Sequence, residues 1–286
     1  MKLLSFVRDG KETWGAVVND GVVDLGAALP QFPELTSYIA AGRHLHAAED
    51  VQGRKPDLVL DKLTLLPVIP RPEKIICVAR NYLGHHQEVL AAGKKVELAG
   101  VPPIFLRTWR SQVAHDQPMV KPRSSNAFDW EGELAVIISK EGRDIPEDKA
   151  SEYVAGYACY NEASVRDWQF ASPQITPGKN FDFTGGFGPW MVTPDEATPE
   201  DGLSIVTRLN GEVVQSSTTD RMIFNIAQII AYASQIMTLV PGDVIATGTP
   251  DGVGWTRDPQ LFMLDGDVCE VEIEGVGLLR NPIVER

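Results

Sequence analysis

The amino-acid sequence predicts an α+β protein dominated by β-strand. Short apolar runs bounded by Gly, Pro, Asn and Asp recur along the chain, as strands separated by turns do. One segment alone, starting at Ile223, carries a sustained helical period. Strand-like and helix-like segments do not alternate regularly, which argues against a doubly wound parallel sheet.

Met1–Phe6 and Trp14–Val18 read as strands, and Asn19-Asp20-Gly21 supplies a hairpin turn before Val22–Leu25. Leu35–Ala41 reads as a short helix. Leu66–Pro72 holds three prolines between positions 67 and 72, which suits an extended linker. A boundary is expected there, between a small β-rich domain over residues 1–70 and a larger domain over 71–286. Ile75–Ala79, Leu134–Ile138 and Tyr153–Tyr160 are near-continuous apolar runs, the pattern of strands buried on both faces. Ser204–Leu209 and Glu212–Ser216 flank Asn210-Gly211, a strong hairpin signal. The helix, Ile223 to Leu239, repeats Ile226, Ile229, Ile230, Ala233, Ile236 and Met237 at helical spacing. Thr219 or Asp220 is expected to cap it, and Pro241-Gly242 stops it. Asp243–Thr247, Val268–Ile273 and Gly277–Leu279 complete the strands.

Composition narrows the function. The 286 residues carry 26 Lys and Arg against 39 Asp and Glu, a net charge of −13. An acidic surface excludes sequence-independent nucleic-acid binding and disfavours anionic membranes. The opening apolar run is too short for a signal peptide, and no stretch approaches the length of a membrane span. Cys77, Cys159 and Cys269 are odd in number and form no C-x-x-C pair, so free thiols in a reducing cytoplasm are expected.

Five polar clusters then stand out. In Asp129-Trp130-Glu131-Gly132-Glu133, two carboxylates two residues apart share one face of a strand. They repel unless a cation lies between them, and oxygen ligands suit Mg²⁺, Mn²⁺ or Ca²⁺. By itself, E-x-E also describes a solvated strand face. The second cluster, Asn161–Gln169, packs charge at the end of a buried run and offers a third carboxylate, Glu162. In Arg80–Glu88, His85 and Glu88 are three apart and face one another on a helical turn. A carboxylate beside an imidazole fits a general base, though an exposed helix pair has the same spacing. The fourth, Pro177–Asp182, sets Lys179 among Gly, Pro and aromatic residues. The fifth, Thr247–Gly254, is a Gly/Thr loop able to offer N–H groups to an anion, and it lacks nucleotide-binding spacing.

The segments RNYLGHHQE, FDWEGELAVII, GYACYNEASVRDWQ, PGKNFD, LNGEVVQSSTTDRMIF and LVPGDVIATGTPDGVG, in this order, resemble the fumarylacetoacetate hydrolase family. The resemblance covers residues 73–285 and implies that family's mixed β-sandwich or roll behind a small N-terminal β domain. It implies metal ligation by Glu131, Glu133 and Glu162, with Mg²⁺ favoured over Mn²⁺ or Ca²⁺. Glu162 stands where the family usually has Asp, one methylene shorter, so a shifted metal or altered denticity is expected. The resemblance makes His85 and Glu88 the water-activating dyad of a lid over residues 83–100, and Lys179 and Gln169 catalytic. Arg107, Arg166, Thr249 and Tyr82 become substrate contacts.

The implied reaction is hydrolysis of the C3–C4 bond of an acylpyruvate or related 2,4-diketo acid, releasing pyruvate. The alternatives are decarboxylation or tautomerisation of a 2-oxo diacid on the same metal site, or a non-catalytic metabolite-binding relative. The expected ligand is a small anionic 2-oxo acid, and the expected assembly a homodimer.

Overall fold

The computed structural model describes residues 1–94 and 96–286; position 95, within the predicted lid, lies outside the described residues. Its largest sheet runs, from one edge, through Leu58–Val59, Gly21–Asp24, Lys11–Val18, Lys2–Arg8, Gly185–Val192, Val154–Asn161, Gly132–Ile138, Val244–Ala246, Ile75–Val78 and Ile104–Arg107. A second sheet orders Glu212–Thr218, Ser204–Leu209, Val268–Ile273, Gly277–Glu285 and Met119–Lys121. The molecule is strand-rich α+β, as the sequence predicts.

Gly132–Ile138 shows why its residues are apolar without alternation. Leu134, Val136 and Ile138 share a core with Ile205, Val271 and Leu279 of the second sheet. The helix Ile226–Ile236 buries Ile226, Ile229, Ile230 and Ala233 in the same core. Ala135 and Ile137 point the other way, into a core with Leu3, Trp14 and Tyr38. Both faces of the strand are therefore dry.

The N-terminal strands form as predicted, but they extend the large sheet. Lys2–Arg8 pairs antiparallel with Gly185–Val192, setting Leu3 opposite Met191. Val68 and Ile69, in the proline-rich stretch expected to be an extended linker, are buried in the shared core, so the stretch packs against both regions. The strand joining the two regions, Gly185–Val192, escapes sequence reading: Gly, Gly, Phe, Gly and Pro open it, and Gly and Pro are poor strand formers.

Asn210-Gly211 forms the two-residue hairpin, with φ of 53° and 84° matching a type I′ turn. The long helix begins later than predicted, at Ile226. Ile223 and Phe224 donate their amides to the Asn81 carbonyl and side chain, and this holds them out of the helix. Asn225 is the cap in place of Thr219 or Asp220, its side chain accepting from the Gln228 amide.

Candidate metal and catalytic centre

Strand direction collects the polar clusters. Gly132–Ile138 runs antiparallel to Val154–Asn161 and to Val244–Ala246, and the last is parallel to Ile75–Val78. The start of the first strand thus lies beside the ends of the other three. Glu131 and Glu133, Glu162, the 247–256 loop and the 80–88 segment meet there around a cavity of about 540 Å³.

Glu131, Glu133 and Glu162 are all buried, with one oxygen from each lying within 4.8 Å of the others. The Glu131 amide donates to the Asn161 side chain (3.0 Å), and the Glu162 amide to the Glu131 carbonyl (2.8 Å). The Gly248 amide donates to Glu133 Oε2 at 2.8 Å. That contact needs glycine: Gly248 has φ of +106°, and a Cβ would lie 2.6 Å from the Asn81 Cβ.

Two cations brace the cradle. Lys179 Nζ pairs with Glu131 Oε2 (3.0 Å) and with Glu162. Arg166 Nη1 pairs with Glu131 Oε1 at 2.5 Å, while its Nε donates to Asp129 Oδ2 at 2.8 Å. Burial pushes the Glu131 carboxyl up, but Lys179 and Arg166 outweigh it and hold it below the usual range. Burial drives Glu133 well upward, and the neighbouring Glu162 and Glu131 add to the rise. Burial also wins at Glu162, against Lys179 and Arg107, and leaves it at about 7. Crowded, dry, all-oxygen donors with two carboxyls resisting ionisation fit a hard divalent cation.

His85 lies on the helix Leu83–Ala91 and lines the cavity. Its Nδ1 meets Glu88 Oε1 at 2.6 Å. Glu88 stands behind it, where Oε2 accepts from the Gly252 amide (2.8 Å) and the Thr256 hydroxyl (3.2 Å). His86 is buried and does not line the cavity. Gln169 does line it, and its Oε1 accepts from Arg166 Nη1 at 2.9 Å. Thr249 also borders it, its hydroxyl donating to the Gly132 carbonyl at 3.0 Å.

Two expected substrate contacts stand elsewhere. Arg107 does not border the cavity; its side chain is 0 % exposed, with Nη1 on Glu162 Oε1 at 2.6 Å. It also donates to Ser111, the Ala163 carbonyl and Thr184, so it braces the third carboxylate from behind. Glu162 is long enough to reach Arg107 with one oxygen and Lys179 with the other. Tyr82 is buried away from the cavity, bridged to Met222 through the backbone. Sequence reading also missed Asp129, which accepts from Arg166, Gly254 (2.7 Å) and Trp255 (3.1 Å) and so ties the cradle to the 247–256 loop. Its signal was its place in Asp-Trp-Glu-Gly-Glu.

Such a cradle on such sheets marks a metal-site enzyme of one family. The family model for the fumarylacetoacetate hydrolase C-terminal region matches residues 74–284, and the chain belongs to that family. A human relative named oxaloacetate tautomerase FAHD2A, mitochondrial, is 38% identical over 269 residues, 92% of this chain and 84% of the relative. The solved fumarylacetoacetate hydrolase of Exiguobacterium antarcticum is 34% identical with a TM-score of 0.81, covering 100% of both chains. Maleylpyruvate hydrolase from Sphingobium sp. SYK-6, solved with manganese(II) and pyruvate, is 28% identical with a TM-score of 0.82, covering 100% of this chain and 99% of that one.

Proposed function

We propose that this protein is a divalent-metal-dependent tautomerase that interconverts the keto and enol forms of a 2-oxo dicarboxylic acid of the oxaloacetate class. The observation that carries this reading is one oriented base, His85, on the same cavity as a three-carboxylate cradle. The likeness to the human oxaloacetate tautomerase supports the choice of reaction.

Glu131, Glu133 and Glu162 would hold a divalent cation, which would supply Lewis-acid polarisation and positive charge at the 2-oxo group. The protein's own residues move the proton. Glu88 fixes the His85 ring through Nδ1, leaving Nε2 to carry the proton from C3 to the 2-oxygen in enolisation and from the 2-hydroxyl back to C3 in ketonisation. Lys179, buried beside Glu131 and Glu162, offers an N–H donor to charge developing on the 2-oxo oxygen. Arg166 holds Glu131 in place and presents Gln169 to the cavity.

Hydrolysis of an acylpyruvate is the second reading. A dyad that takes a C3 proton also activates water, and the cavity wall of Phe105, Phe170 and Trp255 has room for an acyl group. Purified protein with Mn²⁺ should speed decay of enol-oxaloacetate and leave acylpyruvates intact. Pyruvate release from an acylpyruvate without enol turnover would reverse the assignment. His85→Ala should abolish turnover while Mn²⁺ still binds, and Glu131→Ala should lose both. Full activity in the second variant would remove the cradle from the mechanism.

We further propose Mg²⁺ as the resident ion, a homodimer, and a cytoplasmic setting. The three buried free cysteines accord with a reducing compartment, and no helix among the described residues is long and apolar enough to cross a membrane.

A further inference from the structure

The cations closest to the carboxylate cradle are already engaged by it. Asp129, Glu131, Glu133 and Glu162 supply four carboxyls, and three cations are already engaged by them: Lys179 and Arg166 each pair with two, and Arg107 with one. With the carboxyls ionised the sum is 3 − 4 = −1, and a divalent ion brings it to +1. One substrate carboxylate neutralises that. A second carboxylate needs a cation from outside this group, because a buried unpaired anion is costly.

The cavity has such a cation. Arg80 lines it and takes part in none of the ion pairs found among the described residues. Its backbone is unusual: φ is +51°, in the left-handed region that non-glycine residues seldom enter. Asn81 holds the turn there, its Nδ2 donating to the Phe224 carbonyl (2.9 Å) and the Thr247 carbonyl (2.8 Å), and its Oδ1 accepting from the Phe224 amide (2.8 Å). Strained backbone kept in place by neighbours is characteristic of ligand clamps. Lys94 lines the same cavity with its ammonium over Phe170, 4.3 Å from the ring centroid, and it too lacks an ion pair among the described residues. Among the described residues, neither cation is ion-paired to the carboxylate cradle whose cavity it shares.

We infer that Arg80, assisted by Lys94, receives the second carboxylate of a dicarboxylic substrate and is the residue that selects diacids over monoacids. This rests on the enolising site proposed above. A guanidinium suits the task because its planar fork can bind a carboxylate through two parallel hydrogen bonds.

Binding calorimetry on the full-length, Mn²⁺-loaded protein tests it with two inert probes sharing one 2-oxo acid head. Oxalylglycine carries a second carboxylate; oxamate does not. The wild type should favour oxalylglycine by about tenfold or more, the worth of one charge-assisted contact. Arg80→Gln should erase most of that preference by weakening oxalylglycine about tenfold while oxamate changes less than about threefold. Arg80→Lys should restore part of it, and Lys94→Gln should reduce it less than Arg80→Gln does. Equal weakening of both probes in Arg80→Gln, or a wild type that binds them alike, overturns the inference. Selectivity that is retained without any turnover of oxaloacetate refutes the functional reading and leaves the diacid receptor standing.

Discussion

Replacing Arg107 by Met separates a substrate contact from a brace of the metal cradle. The guanidinium is fully buried and gives one hydrogen bond each to Glu162, Ser111, the Ala163 carbonyl and Thr184. Without it, Glu162 keeps Lys179 as its cation and escapes the lost pairing by taking up a proton. The folded carboxyl sits at about 7, so at pH 8 that escape costs about 1.4 kcal/mol, one pH step. Stranding the buried acceptors adds ~1–3 kcal/mol, giving a total loss near 3 kcal/mol. A protonated Glu162 must ionise again before it ligates, so Mn²⁺ affinity should fall about tenfold or more. Calorimetric titration with Mn²⁺ at pH 8, paired with denaturant unfolding, measures both. If Arg107→Met keeps wild-type stability and Mn²⁺ affinity and raises only KM, the brace is refuted and Arg107 touches substrate after all.

Glu162 also sets a pH dependence. Its folded value of about 7 lies above the ordinary 4.5, so the folded state binds the extra proton between those limits, and stability in EDTA loses ~3 kcal/mol from this group as pH rises through them. A divalent ion favours the ionised form, so the rise in melting temperature caused by Mn²⁺ should grow from pH 5 to 7; a flat response contradicts the assignment. Glu88→Gln should lower kcat by about a hundredfold, because the ring of His85 loses its charged partner, with Mn²⁺ affinity retained. A wild-type kcat would remove Glu88 from the dyad. Asn225→Ala should cost about 1 kcal/mol by chemical unfolding through loss of the helix cap, and no cost would mean the Asn81 contacts alone place that helix start.

Local physics made much of this protein legible. The period-two rule put Glu131 and Glu133 on one face whatever the rest of the chain did. The three-residue spacing of His85 and Glu88 needed only one helical turn, and Asn210-Gly211 needed only its own φ preferences. The pairing of Arg107 with Glu162 was not legible because the two lie 55 residues apart and no spacing rule spans that distance. The strand Gly185–Val192 was missed because its glycines and proline oppose strand formation, and only pairing with Val154–Asn161 and Lys2–Arg8 holds it.

What the sequence determined by itself was an inventory: acidic surface, short strands, one apolar helix, and the donor types of a metal cradle beside a histidine base. Those follow from composition, from periods of 2 and 3.6, and from turn chemistry, all of which act over a few residues. The tertiary structure decided which groups meet. Antiparallel pairing brought the start of one strand beside the ends of three others, and so set the carboxylates of positions 131, 133 and 162 in one dry pocket. It also separated the cations, placing Arg107 behind the cradle and Arg80 at the cavity. Charge in a low-dielectric interior depends on distances of a few ångströms, and those distances exist only once the sheets have paired.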